Sequence, residues 1–160
     1  MFNSKGETLI NLKRKLKKFA VPTSFIFNVK NWKTHNNKIV YLISKKFKNK
    51  KIIVRSSSKN EDNLTTSAAG KFESILNVDS RNKTKIIRAI NKVIKSYKLK
   101  KTKLSEEEVL IQEMIGNIKM SGVIFTGDNL GNNLYYIINY DDITGLTNTI
   151  TSGSSNYSNK

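Results

Sequence analysis

The sequence predicts an α+β fold, on three observations. Apolar residues recur at helical spacing early in the chain and again between Ile86 and Tyr97. A compact apolar run, Lys51-Ile52-Ile53-Val54, has the length of a buried strand. The last third alternates short β-branched and aromatic runs with turn formers, the pattern of strands joined by loops.

Taken in order, Ser4 followed by Glu7 fits a capping box, and Leu9, Leu12, Leu16 and Phe19 place a helix from Lys5 to Lys18. Ser24 to Val29 reads as a short strand, and Ile39, Leu42, Ile43 and Phe47 mark a second helix from Asn36 to Phe47. After Val54 the polar run Arg55-Ser56-Ser57-Ser58 opens a small-residue loop that ends in Ser67-Ala68-Ala69-Gly70. A strand resumes from Phe72 to Val78. A third helix follows, with Ile86, Ile87, Ile90, Val93, Ile94 and Tyr97 on one face and Arg88, Lys92 and Lys95 largely on the other. Glu108–Met114, Met120–Thr126 and Leu134–Tyr140 read as strands, with residues 127–133 as a turn and Thr147–Ser152 as a possible fourth strand.

With 160 residues the chain suffices for one domain or part of a larger one. It has no cysteine, which excludes disulfides and thiolate chemistry, and its single histidine, His35, excludes a site needing two imidazoles. No apolar run approaches the roughly 20 residues that span a bilayer, so the expectation is a cytoplasmic protein with no membrane partner.

The formal net charge is +17, but it is unevenly placed: +22 over Met1–Lys103 and −5 over Leu104–Lys160. Such asymmetry is one signature of polyanion binding. A lysine-rich composition spread over solvated faces is the simpler account, and the aromatics fall mostly on core faces instead of forming a stacking row. Nucleic acid is the disfavoured partner.

A strand that releases its chain into Arg-Ser-Ser-Ser and a small-residue loop can surround phosphate. Arg55 offers a fork of donors, and backbone N–H groups can approach where side chains are small. Lys5 falls in the first turn of the first helix, where a cation is slightly unfavourable unless an anion is bound. An ordinary surface lysine is the alternative.

These residues carry a resemblance. Val54-Arg55-Ser56-Ser57-Ser58-Lys59-Asn60-Glu61-Asp62 and Ser67-Ala68-Ala69-Gly70-Lys71-Phe72-Glu73-Ser74-Ile75-Leu76-Asn77-Val78 resemble the nucleotide-binding domain of phosphoenolpyruvate synthase, pyruvate phosphate dikinase and rifampicin phosphotransferase. Ile111-Gln112-Glu113-Met114, Ser121-Gly122-Val123-Ile124-Phe125-Thr126-Gly127-Asp128 and Ser4-Lys5-Gly6-Glu7-Thr8-Leu9 extend it over nearly the whole chain. The resemblance implies an ATP-grasp-like fold with mixed or antiparallel sheets and flanking helices, here incomplete.

It further implies ATP and Mg²⁺ as cofactors. Lys5 and Arg55 would contact phosphate, with Arg55 also catalytic. Gly70, Lys71 and Ser74 would belong to the loop that closes over the triphosphate, and Gln112, Glu113 and Met114 would line the adenine pocket. Family enzymes split ATP into AMP and phosphate and pass the β-phosphoryl group through a histidine on another domain to an acceptor such as pyruvate. The stretch Ile137–Asp142 through Thr151–Gly153 resembles divergent members that include glutamine kinase, which makes an amide a second acceptor class.

Two departures stand out. Where the family carries Gly-Leu-Gly-Glu, this chain has Gly145-Leu146-Thr147-Asn148, and an amide oxygen is a weaker Mg²⁺ ligand than a carboxylate, which leaves the metal site unknown. Asp141 and Asp142 are nearby substitutes. The phosphohistidine and acceptor domains do not fit within 160 residues, so the expectation is an amino-terminal piece, inactive alone, with a separately encoded phosphohistidine domain as one candidate partner. Within it, residues 1–103 form a basic part with the phosphate loop, 104–153 a β-rich part and 154–160 a polar tail. The competing expectation is a catalytically inactive nucleotide-binding module.

Overall fold

The computed structural model describes residues 4–58, 73–98, 104–126 and 135–144. The chain divides into two compact units, Met1–Met114 and Ile115–Lys160.

The first unit starts with α1 (Lys5–Lys15), whose capping box forms as expected: Ser4 accepts the N–H of Glu7, and the Glu7 carboxylate accepts the N–H of Ser4. The helix ends at Lys15, three residues earlier than its apolar spacing suggests. Leu12, Leu16 and Phe19 are exposed, and the one buried residue in the helix is Gly6. α1 therefore meets the rest of the unit through its first turns and not along a full apolar stripe.

β1 (Ser24–Asn28) leads directly into α2 (Val29–Lys46), capped by the Asn28 side chain on the N–H of Asn31. The helix starts seven residues before the expected Asn36, because Asn28 caps it directly at the end of β1. The backbone at His35 is non-helical, so the stretch from Asn36 onward is the second limb of a kinked helix. At the kink the Thr34 hydroxyl bonds the carbonyls of Lys30 and Asn31, the back-bonding that bends helices.

β2 (Lys51–Ser57), β3 (Ser74–Asp79) and β4 (Glu108–Glu113) join β1 in an antiparallel sheet of order β1-β4-β2-β3. Contrary to the expected break after Val54, β2 runs on through Arg55, Ser56 and Ser57, since β4 pairs with it as far as Ser57↔Glu108. β3 carries a bulge between Ile75 and Val78, and Asn77 there has a φ of 59°, a conformation asparagine tolerates.

α3 (Lys83–Lys98) and α2 cover one face of the sheet. Ile52, Val54, Val109 and Ile111 from the strands meet Ile43, Phe47, Ile86, Ile90, Val93 and Tyr97 from or beside the helices, all fully buried. Each such aliphatic side chain contributes roughly 1.5–3 kcal/mol by leaving water. Arg88, Lys92 and Lys95 lie on the exposed face, as the period demands. Trp32 packs against Phe27 and donates its indole N–H to Asn91, tying α2 to α3.

The second unit holds a hairpin of β5 (Ser121–Phe125) and β6 (Ile137–Asp141), paired antiparallel. Gly122 is required there, because a Cβ would sit 2.7 Å from the Asn139 carbonyl oxygen. The suggested turn at 127–133 and strand at 147–152 fall outside the described residues. The α+β class with antiparallel sheets and flanking helices is thus borne out, in an arrangement consistent with an ATP-grasp-like domain.

Candidate functional site

Strand alternation sorts the sheet into two faces. Val54, Val109 and Ile111 belong to the core, so Arg55 and Leu110 point to the opposite face, where α1 lies. There the register sets Ile26 opposite Leu110, Leu110 opposite Arg55, and Arg55 opposite Ser74, a single row across all four strands. Leu110 is fully buried, although it lies outside the main core.

The first turn of α1 settles onto this row. The Gly6 N–H donates to Ser57 Oγ at 2.9 Å, and a Cβ on Gly6 would come within 2.3 Å of the Ile26 side chain. Only glycine permits this approach. Lys5 is thereby set beside Arg55: with Thr8, Leu9 and Leu110 they line an open hollow of about 290 Å³. A fork of donors and a flexible ammonium over an aliphatic floor suit a phosphorylated ligand, since a low-dielectric wall strengthens each charge contact.

The α1 amino terminus has little spare backbone capacity. Glu7, Gly6 and Thr8 give their N–H groups to Ser4 Oγ, Ser57 Oγ and the Ser4 carbonyl. Anion attraction at this end falls to the Lys5 side chain.

Of the other residues marked from sequence, Ser74 begins β3 directly opposite Arg55. Gly70 and Lys71 lie outside the described residues. Gln112 shares the Arg55 face, two positions along β4 from Leu110. Glu113 ion-pairs with Lys50 at 2.5 Å, and that hydrogen bond holds its carboxyl below the usual carboxylate range. The N–H groups of Glu113 and Met114 go to the carbonyls of Thr23 and Lys51, both at 2.9 Å. A purine edge read by this segment would therefore meet carbonyl oxygens or the Gln112 amide.

Thr8, Leu9 and Leu110 join the site without being among the candidates that the sequence offers. Thr8 is legible in hindsight, because it lies three residues from Lys5 on the same helix face. Leu110 is not, since its place beside Arg55 depends on strand pairing.

For a metal the fit is poor. Asp141 is buried and caps the turn after β6: Oδ1 accepts the N–H groups of Ile143 and Thr144, and Oδ2 the Thr144 hydroxyl. Among the described residues no three His, Cys, Asp or Glu side chains cluster as a ligand set. Asn148 lies outside them. Among the same residues no helix is long and apolar enough to cross a membrane.

Comparison with known proteins adds one finding. The family model described as pyruvate phosphate dikinase, AMP/ATP-binding domain, matches residues 33–155, which include Arg55, Ser74 and Gln112–Met114 but not Lys5. No curated protein and no solved structure matches the chain.

Proposed function

Because the chain belongs to the family of the pyruvate phosphate dikinase AMP/ATP-binding domain, we propose that it holds ATP by its phosphates in the hollow between α1 and the sheet. It serves there as the nucleotide-binding portion of a dikinase-type phosphotransferase. The observation that carries this reading is the shared hollow of Lys5 and Arg55. One cation lies inside the family match and the other outside it, yet the fold brings them together.

In this reading Arg55 grips two phosphate oxygens at once, and its planar fork fixes their orientation. Lys5, a point charge on a flexible stem, follows the phosphate whose charge grows as the bond to the leaving group breaks. Gly70, Lys71 and Ser74 contact the triphosphate, Ser74 from the start of β3 opposite Arg55. Gln112 to Met114 border the adenine. Bound Mg²⁺ would neutralise phosphate charge, but the described residues offer no ligand set for it. The β-phosphoryl group would pass to a histidine outside residues 1–160 and on to a small acceptor.

Calorimetric titration with ATP, with and without Mg²⁺, tests the reading in wild type and Arg55→Ala. Loss of a charge-assisted contact weakens binding about 10- to 100-fold. No wild-type binding at millimolar ATP leaves only a module that does not hold nucleotide. Equal affinity in the two proteins removes Arg55 from the site.

A further inference from the structure

Lys5 is held from both sides, and both holds converge on one phenol across the sheet. Tyr97, fully buried on α3, reaches the end of the β2–β4 ladder. Its hydroxyl accepts the N–H of Ser57 at 2.9 Å and donates to the Glu108 carbonyl. Ser57 and Glu108 are cross-strand partners, so the phenol bridges the last pair of that ladder. From this pair two further bonds leave toward α1: Ser57 Oγ accepts the N–H of Gly6, and the Glu108 carboxylate accepts the Ser4 hydroxyl. The residues immediately before and after Lys5 are thus tied to the two residues that Tyr97 joins.

We infer that Tyr97 is a positioning residue for the Lys5 ammonium, acting through Ser57 and Glu108 to hold the first turn of α1 over Arg55. The inference rests on the phosphate reading of the hollow. Its physical content is that a charge contact weakens with distance, so loosening the first turn of α1 weakens the contact that Lys5 makes. Burial of the Tyr97 ring supports the core whether or not the hydroxyl is present. The hydroxyl alone serves the relay, and so the two roles separate.

Titration of ATP into the full chain tests this in wild type, Tyr97→Phe, Lys5→Ala and the double variant. Tyr97→Phe lowers affinity about tenfold in the wild-type background, the worth of about one hydrogen bond. In the Lys5→Ala background the same change costs less than about twofold, because the group it positions is gone. Equal losses in both backgrounds, or none in the first, overturn the inference and leave ATP binding by the hollow intact. If Lys5→Ala itself leaves affinity unchanged, the phosphate reading of Lys5 falls and the inference with it. Hydrogen exchange at the Gly6 amide reads the placement without nucleotide. Protection drops in Tyr97→Phe and in Ser57→Ala, the variant to use if Tyr97→Phe does not fold, and returns in Ser57→Thr. Unchanged protection in Ser57→Ala overturns the relay whatever the nucleotide does.

Discussion

Arg55 and Ser74 stand directly opposite each other in the β2–β3 ladder, with Leu110 on the other side of Arg55. β3 therefore begins beside the guanidinium. On the other side of the guanidinium, Leu110 supplies a buried aliphatic floor.

That placement makes the shape of the Arg55 side chain matter as well as its charge. Arg55→Lys keeps the cation and loses the fork, so ATP affinity falls roughly tenfold, less than the fall in Arg55→Ala. Fluorescence titration of the three proteins checks the order. A lysine variant equal to wild type means that simple charge suffices.

Gly6→Ala sets two effects against each other. Alanine favours a helix by up to about 1 kcal/mol over glycine. Here its methyl meets Ile26, and relieving that overlap costs about 1–3 kcal/mol while the bond to Ser57 is strained. The net expectation is a loss of stability by urea denaturation together with weaker ATP binding. A stabilised variant would show that α1 does not sit this close to the sheet.

Ile90→Ala probes the opposite face. Ile90 is fully buried in the core under α2 and α3, and its truncation costs about 2–5 kcal/mol. Nucleotide affinity of the folded protein stays within about twofold of wild type, because the hollow lies across the sheet. A large change in affinity contradicts the separation of the two faces.

The Lys50–Glu113 pair predicts a pH effect. Lys50 holds the Glu113 carboxyl below its ordinary 4.5. The folded value lies below the unfolded one, so the contribution is fully present above pH 4.5 and is lost as pH falls through the folded value. Both groups are partly exposed, so the effect on stability is small. NMR titration of the Glu113 carboxyl shows the midpoint rising toward 4.5 in Lys50→Ala. A midpoint that stays put removes Lys50 as the cause.

What the sequence determined by itself is local. The capping box at Ser4 and Glu7, the apolar stripe from Ile86 to Tyr97 and the strand beginning at Glu108 are legible because their causes lie within a few residues of each other. The resemblance marked Arg55 and Lys5 as phosphate contacts by residue type and order. Tertiary structure decided the rest. Ser56 and Ser57 look like loop residues in isolation, and they extend β2 because β4 supplies the ladder and Gly6 and Tyr97 bond Ser57. Leu12 and Leu16 look like core, and they stay exposed because only the first turns of α1 touch the sheet. The meeting of Lys5 with Arg55 belongs to the same class. Helical spacing and caps are written in neighbouring residues, whereas strand order and the docking of a helix depend on burial between segments distant in the chain, which no short window of sequence contains.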